Sequence, residues 1–232
     1  MSNRFQRQQD TLPLNKSAGH VLIFGAGSIG SFTAMALAKM GVEPITVADF
    51  DVVEAENLNA QVYSEEHVGK LKVEALKEFI SKSCDADISI HDKKFNGDTE
   101  DFYRDIRPDI VISAVDCMSA RRHIVHTFSD ISYIIDPRMA IENLSIFTLP
   151  DGRSKPDLAR FARTMMYSND EAISEPCTNK SIAYTAFLAA GMVALTVKEI
   201  LVDGRKLKTL LWDINPKKSS FNAFYHERRN NG

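Results

Sequence analysis

HVLIFGAGSIGSFTAMALAKMGVEPITVADFD, residues 20–51, decides the fold. Its first five residues are a short apolar run ending at glycine, the pattern of a parallel strand buried on both faces. GAGSIG, residues 25–30, follows at once. Residues 31–40 then place Phe32, Met35, Ala36 and Met40 on one helical face, and Gly41 stands where a left-handed cap would end that helix. Residues 43–51 read as a second strand running into an acidic end. Together they make one strand–helix–strand unit.

The pattern repeats outward. Val68, Leu71, Ala75, Leu76, Phe79 and Ile80 have helical spacing and predict a helix over 68–83. Residues 87–91, 110–115 and 133–136 read as strands, and 119–128 as a helix. Residues 144–149 alternate apolar and polar, as a strand open on one face does. A long buried helix over 181–201 and a late strand over 207–214 follow. The alternation implies an α/β fold: a Rossmann-like, doubly wound, mostly parallel sheet with late antiparallel strands. We expect an N-terminal arm at 1–19, one domain over 20–215 and a polar tail at 216–232. Residues 150–180, polar and marked by Pro, Gly and Ser, form a crossing segment with one helix at 157–166.

Composition narrows the function. With 232 residues, 44% of them hydrophobic, the chain can bury one good core. A net charge of −3 gives no reason to expect nucleic acid as the partner. No apolar run reaches the roughly 18 residues of a membrane span. The longest, residues 183–197, is broken by Tyr184, Thr185 and Thr196 and reads as core, so no membrane partner is expected. The polar first ten residues lack the apolar centre of a signal peptide. Cys84, Cys117 and Cys177 form neither a disulfide framework nor a C-x-x-C pair. A cytoplasmic protein is the expectation.

Residues 25–30 spell G-x-G-x-x-G after a strand and at the opening of a helix, where it binds a nucleotide's phosphates. Gly25 permits the tight turn, Gly27 lets the backbone approach a phosphate, and Gly30 allows close helix packing. The helix start offers free N–H groups to an anion. Asp49, nineteen residues beyond Gly30, is placed to accept both ribose hydroxyls. These features alone suit an NAD-type dehydrogenase as well as an ATP enzyme. No Tyr-x-x-x-Lys or His/Asp pair is placed for hydride chemistry.

Four further stretches discriminate. Residues 48–76, ADFDVVEAENLNAQVYSEEHVGKLKVEAL, resemble the D-x-D-x-V…N-L-x-R-Q…V-G-x-x-K segment of the ThiF/MoeB/HesA family, the ubiquitin-activating-enzyme-like adenylyltransferases. SAVDCMSARR, residues 113–122, resembles the family's D-N-x-x-x-R. RFQRQ, residues 4–8, is similar to the R-Y-x-R-Q of bacterial members. EPCTNKSIAYTAFLAAGMVA, residues 175–194, resembles the P-x-C-T segment of ubiquitin-activating members. With the glycine loop, the matches run in family order from residue 4 to about 200.

The resemblance implies ATP and Mg2+ as cofactors and a reaction in which a carboxylate takes AMP. Such a transfer needs cations around the phosphates and few proton movements. Lys72 is implied on the α-phosphate, although a helix lysine is ordinarily solvated; Lys70 is the alternative if the register moves by one turn. Asp116 ends an apolar strand, where a carboxylate is costly without a partner. Magnesium is the implied partner and a helix cap at Ser119 the structural alternative. Asp51 assists nearby, and Asn57 and Gln61 are implied to hydrogen-bond the nucleotide. Arg7 corresponds to the residue that reaches across a dimer to the γ-phosphate, so a homodimer is expected. Cys177, before the long helix, corresponds to the cysteine that takes the acyl group as a thioester, while Cys84 and Cys117 read as structural. The implied substrate is the C-terminal glycine of a small ubiquitin-like (β-grasp) protein, with a separate downstream conjugating or acceptor protein. The alternatives are a small-molecule or peptide carboxylate without a thioester, or a catalytically silent partner subunit. The last has one feature behind it: Ala60 stands where the family has arginine. Arg121, Arg122 and Arg138 are candidates to replace that cation, and Arg138 is preferred.

Overall fold

In β1 (Ala18–Phe24) the apolar run is buried on both faces, with alternate residues facing opposite layers. Val21 and Ile23 pack with Leu37, Leu76, Ile80 and Val193, while Leu22 and Phe24 pack with Tyr103, Ile124 and Phe128. The computed structural model describes residues 3–128, 130, 133–140, 143–149, 161, 164, 182–203, 210–215 and 220–225.

After β1 come α1 (Ser28–Met40), β2 (Glu43–Ala48), α2 (Lys72–Cys84), β3 (Ser89–His91), α3 (Glu100–Arg104), β4 (Ile110–Ser113) and α4 (Met118–Phe128). Then come β5 (Tyr133–Ala140), β6 (Asn143–Leu149), a long helix α5 (Ala183–Asp203), β7 (Leu210–Asn215) and β8 (Ser220–Tyr225). One eight-stranded sheet runs β3-β2-β1-β4-β5-β6-β7-β8. Its first five strands are parallel, and β6, β7 and β8 are each antiparallel to the neighbour before them. The helices α1, α2 and α5 cover one face, and α3 and α4 the other. The expected doubly wound sheet with late antiparallel strands is present. Its chain order reverses at β1, between β2 and β4, which is where such sheets place ligands.

Several boundaries differ from the sequence reading. The stretch expected as a polar tail contains β8, paired along its length with β7. The second strand stops at Ala48, because Asp49 and Asp51 are engaged in the loop beyond it. Residues 68–71 lie outside the helix: Gly69 has φ +87, Val52 bridges to Leu71, and the helix begins at Lys72. The short helix α3 was not expected. The helix proposed over 157–166 lies outside the described residues except for Phe161 and Thr164, as do residues 207–209 of the expected late strand.

The N-terminal arm is packed onto the domain. Residues Asn3–Gln8 form a 3-10 helix over the C-terminal ends of α1 and α2. There Gln8 Nε2 donates to the Met40 carbonyl (2.7 Å), and Arg4 donates to the Asp85 carbonyl (3.0 Å) and the Ala38 carbonyl (3.4 Å). The Phe5 ring lies against Gly41, whose φ of +74 makes the expected left-handed cap; a Cβ there would come within 2.9 Å of the ring.

The last helix also corrects the sequence reading. Ala183–Val202 is long and apolar enough, by length and composition, to cross a membrane. Half of it is buried in the fold, where it packs against α1, β5 and β6. Its outer face carries Tyr184, Phe187, Leu188 and Leu195, all exposed.

Candidate functional site

Three strands end together. Phe24 is in register with Ala48 on one side and Ser113 on the other. The next residues, Gly25, Asp49 and Ala114, therefore leave the sheet at one edge. Gly25 N–H donates to the Ala48 carbonyl (2.8 Å), and Ala114 N–H to the Phe24 carbonyl (2.9 Å).

The three glycines of the loop have different reasons to be there. Gly25 has φ +96, and a Cβ on it would lie 2.5 Å from the Ala114 carbonyl oxygen. A Cβ on Gly30 would lie 1.8 Å from the Gly25 carbonyl oxygen, so loop and helix touch there. A Cβ on Gly27 would meet nothing within 4 Å. The space over Gly27, at the N-cap of α1, is open to a ligand. No described residue accepts from the Gly27 N–H.

Asp49 braces this loop. One carboxylate oxygen accepts the Ala26 N–H (2.6 Å) and the other the Asp51 N–H (2.8 Å). Burial raises its pKa, opposed by those two N–H groups and the Lys72 charge. Each oxygen keeps a lone pair, so the carboxylate can still accept ribose hydroxyls.

Lys72 is the first residue of α2 and is 9% exposed, so it is no ordinary solvated helix lysine. Its ammonium donates to Asp51 (2.9 Å), and its backbone N–H donates to the Asp51 carbonyl (2.8 Å). Lys70 instead pairs with Glu78 (2.7 Å) on the helix surface.

The sequence reading passed over Tyr63. Its buried hydroxyl lies 2.7 Å from the Ala26 carbonyl and 3.2 Å from the Lys72 carbonyl, so it joins the glycine loop to α2. No sequence signal marks it, because a buried tyrosine is ordinarily only core. Two residues earlier, the Gln61 side-chain oxygen is buried with no hydrogen-bond partner. A buried acceptor left unmatched is costly, and a ligand donor would relieve it. Asn57 is used locally: its side chain accepts the Glu54 N–H (3.0 Å) and caps its own turn.

Asp116 lies three residues past the end of β4 and is exposed, so it is not the buried carboxylate that the apolar strand suggested. Among the described residues no group of three His, Cys, Asp or Glu could hold a metal. Magnesium is usually held by one or two carboxylates together with phosphate oxygens. An exposed Asp116 at the rim fits that donor set, and the open space over Gly27 at the start of α1 fits a nucleotide's phosphates.

The cation expected to replace the family arginine is committed elsewhere. Arg138 donates to Asp136 from Nε (2.9 Å) and a terminal nitrogen (2.7 Å), and to the Thr164 carbonyl (2.6 Å), with its guanidinium 4.3 Å over the Phe147 ring. Asp136 is fully buried and also accepts from Arg121, which donates besides to the Ser113, Val115 and Pro137 carbonyls. Burial first, and the Arg138 charge second, lower the Arg121 guanidinium to about 9; burial lowers Arg138 to about 10. Both stay cationic at neutral pH around Asp136. Arg121 and Arg138 thus support β4 and β5, and neither is free to replace the arginine at Ala60, which is itself 2% exposed. Arg122 is exposed on α4.

Arg7 is exposed near the C-terminal end of α1. The glycine loop is at the other end of this 13-residue helix, about 20 Å away at 1.5 Å per residue. Within one chain Arg7 therefore stands apart from the loop. Cys177 lies outside the described residues. Of the other two cysteines, Cys84 is buried in the core, and the Cys117 sulfur lies 2.8 Å from the Ser119 hydroxyl.

The fold is shared with solved structures. Over the whole chain it superposes on E. coli MccB solved with ATP, with a TM-score of 0.74, 19% identity and 74% of that chain covered. With PaaA the TM-score is 0.71 at 21% identity, covering 97% of this chain and 82% of that one. In sequence, the chain is 33% identical over 134 residues to a NEDD8-activating enzyme E1 catalytic subunit of Dictyostelium discoideum, 57% of this chain and 30% of the relative. It is 32% identical over 108 residues to SUMO-activating enzyme subunit 2 of the same organism, 45% of this chain and 16% of the relative. The chain thus spans less than a third of the length of either relative. The ThiF family pattern matches residues 4–232, and the chain belongs to the ThiF family.

Proposed function

We propose that the protein binds ATP with Mg2+ and transfers AMP to a carboxylate. The observation that carries this reading is the buried Lys72, held by Asp51 beside the glycine loop and Asp49. A hydride-transfer site has no need of an ammonium there, whereas phosphate chemistry does. The α1 start and the Gly27 N–H receive phosphate oxygens, Asp49 takes the ribose, and Lys72 leaves Asp51 for the α-phosphate. Asp116 would hold the magnesium, whose charge would neutralise that of the phosphates. A carboxylate oxygen of the substrate attacks the α-phosphorus, the bond to the bridging oxygen breaks, and pyrophosphate leaves. No proton need move.

The acceptor favoured by the sequence relatives is the C-terminal glycine of a small ubiquitin-like protein, because they are NEDD8- and SUMO-activating subunits. In this version the Cys177 thiolate then attacks the acyl carbon and releases AMP. A second reading, adenylation of a peptide or small-molecule carboxylate without a thioester, is favoured by the whole-chain likeness to MccB, a microcin C7 biosynthetic enzyme solved with MccA. The position of Arg7 supports a homodimer in which each Arg7 serves the partner's site.

ATP–pyrophosphate exchange tests the reading. Exchange that depends on a carboxylate partner and vanishes in Asp116→Ala supports it; ATP binding without exchange for any partner would indicate a silent subunit. Cys177→Ala separates the two acceptors, since full product formation without the thiol removes the thioester version.

A further inference from the structure

One atom of Tyr63, its hydroxyl oxygen, meets both the glycine loop and the lysine helix. The loop residue it meets, Ala26, is held twice over. Its N–H is given to Asp49 and its carbonyl faces the Tyr63 hydroxyl. The peptide bond from Ala26 to Gly27 is trans, and in a trans peptide the C=O and the following N–H point in opposite directions. A carbonyl turned inward to a buried hydroxyl therefore turns the Gly27 N–H outward, into the open space over that glycine.

We propose that Tyr63 is a positioning residue for phosphate binding. By fixing the Ala26–Gly27 peptide plane it aims the Gly27 N–H at the ligand, and by its contact with the Lys72 carbonyl it sets the lysine helix against the same loop. The phosphate ligand rests on the adenylation reading above; the peptide orientation does not. Neighbouring contacts favour the assignment. The ring is 5% exposed and packs edge-on to His67 (ring centroids 6.2 Å apart), so the hydroxyl has little freedom to seek other partners. Val62 N–H reaches the Ser31 hydroxyl of α1 (3.4 Å), which holds the preceding residue to the same helix. Burial and the nearby Asp49 charge raise the phenol pKa, so the hydroxyl remains a donor throughout the physiological range.

Tyr63→Phe tests this, because it removes one oxygen and keeps the ring in its pocket. ATP and adenosine affinities are measured by calorimetry on the full chain. ATP should weaken about tenfold, the effect of one buried hydrogen bond, with adenosine unchanged. ATP binding that does not change, or ATP and adenosine weakening together, would overturn the proposal. A second measurement needs no nucleotide. In the ligand-free protein the amide resonance of Gly27 should be single, and in Tyr63→Phe it should broaden, double or shift; a Gly27 resonance that stays put overturns the proposal. If the unsubstituted protein bound no ATP, the adenylation reading would fail alone, and the Gly27 resonance would still decide the role of Tyr63.

Discussion

Asp49 and Lys72 report on each other. Burial holds the Asp49 pKa above its ordinary value, and the Lys72 charge is one of the effects pulling it back. Lys72→Met should therefore move the Asp49 titration further up, read as the carboxyl carbon shift in an NMR pH series. A carboxylate whose folded pKa is raised burdens the fold when charged, and that burden lifts as pH falls through the folded pKa. Asp49 is thus a site that costs the unliganded fold something at neutral pH. The glycines divide in the same way between fold and ligand. Gly30→Ala should lower stability by about 3 kcal/mol in urea unfolding, since the new carbon must displace the loop carbonyl. Gly27→Ala should stay within about 1 kcal/mol of the parent while weakening ATP binding. Equal losses in both variants would mean that the space over Gly27 is not where a ligand sits. The residues of this loop, Asp49 and Lys72 were legible in the sequence because a motif orders them. Arg138 is expected as a spare cation because one-dimensional spacing shows a free arginine, whereas in the fold it is bonded to Asp136 and Thr164. The signal that would have corrected it is Asp136, two residues earlier and hence on the same face of β5.

At the level of elements, the strands with apolar residues on both faces were the easiest to read. Residues 20–24 and 110–113 could only be central, and they flank the ligand edge. Error came where local pattern and backbone conformation part company. Val68 and Leu71 fit a helical period, yet the left-handed Gly69 lies between them and α2 starts only at Lys72. That later start is what makes Lys72 a first-turn residue with its side chain turned toward Asp51. β8 was missed because its pairing with β7 is a relation between strands, and a polar surrounding sequence hides it. The packed pair β4–β5 depends on Asp136, which is shared by the buried Arg121 guanidinium and the half-buried Arg138 guanidinium. Asp136→Asn leaves them underpartnered and should destabilise by about 3–5 kcal/mol, measured by denaturant unfolding. A change below 1 kcal/mol would mean that the two arginines find other acceptors.

For the whole molecule, the question is whether one chain completes its own site. Arg7 and the glycine loop occupy opposite ends of α1. If Arg7 serves a partner copy, Arg7→Ala and Asp116→Ala proteins, each inactive alone, should regain exchange activity when mixed and allowed to trade subunits. The mixed dimer has one site with both residues. Failure to regain activity, with mixed dimers demonstrated by mass spectrometry, would place Arg7 outside the chemistry. α5 exposes an apolar outer face, with Tyr184, Phe187, Leu188 and Leu195 open to solvent.

The first turn of the chain has a practical bearing on how such experiments are designed. Residues 4–8 close over the ends of two helices while leaving Arg7 exposed. Trimming them, or displacing them with a bulky fusion, would loosen the rear of the domain and remove the arginine in a single stroke. A dead truncated enzyme would say little about either. Point substitution at Arg7, with Phe5 and Gln8 left in place, keeps the rear closed and asks only about charge.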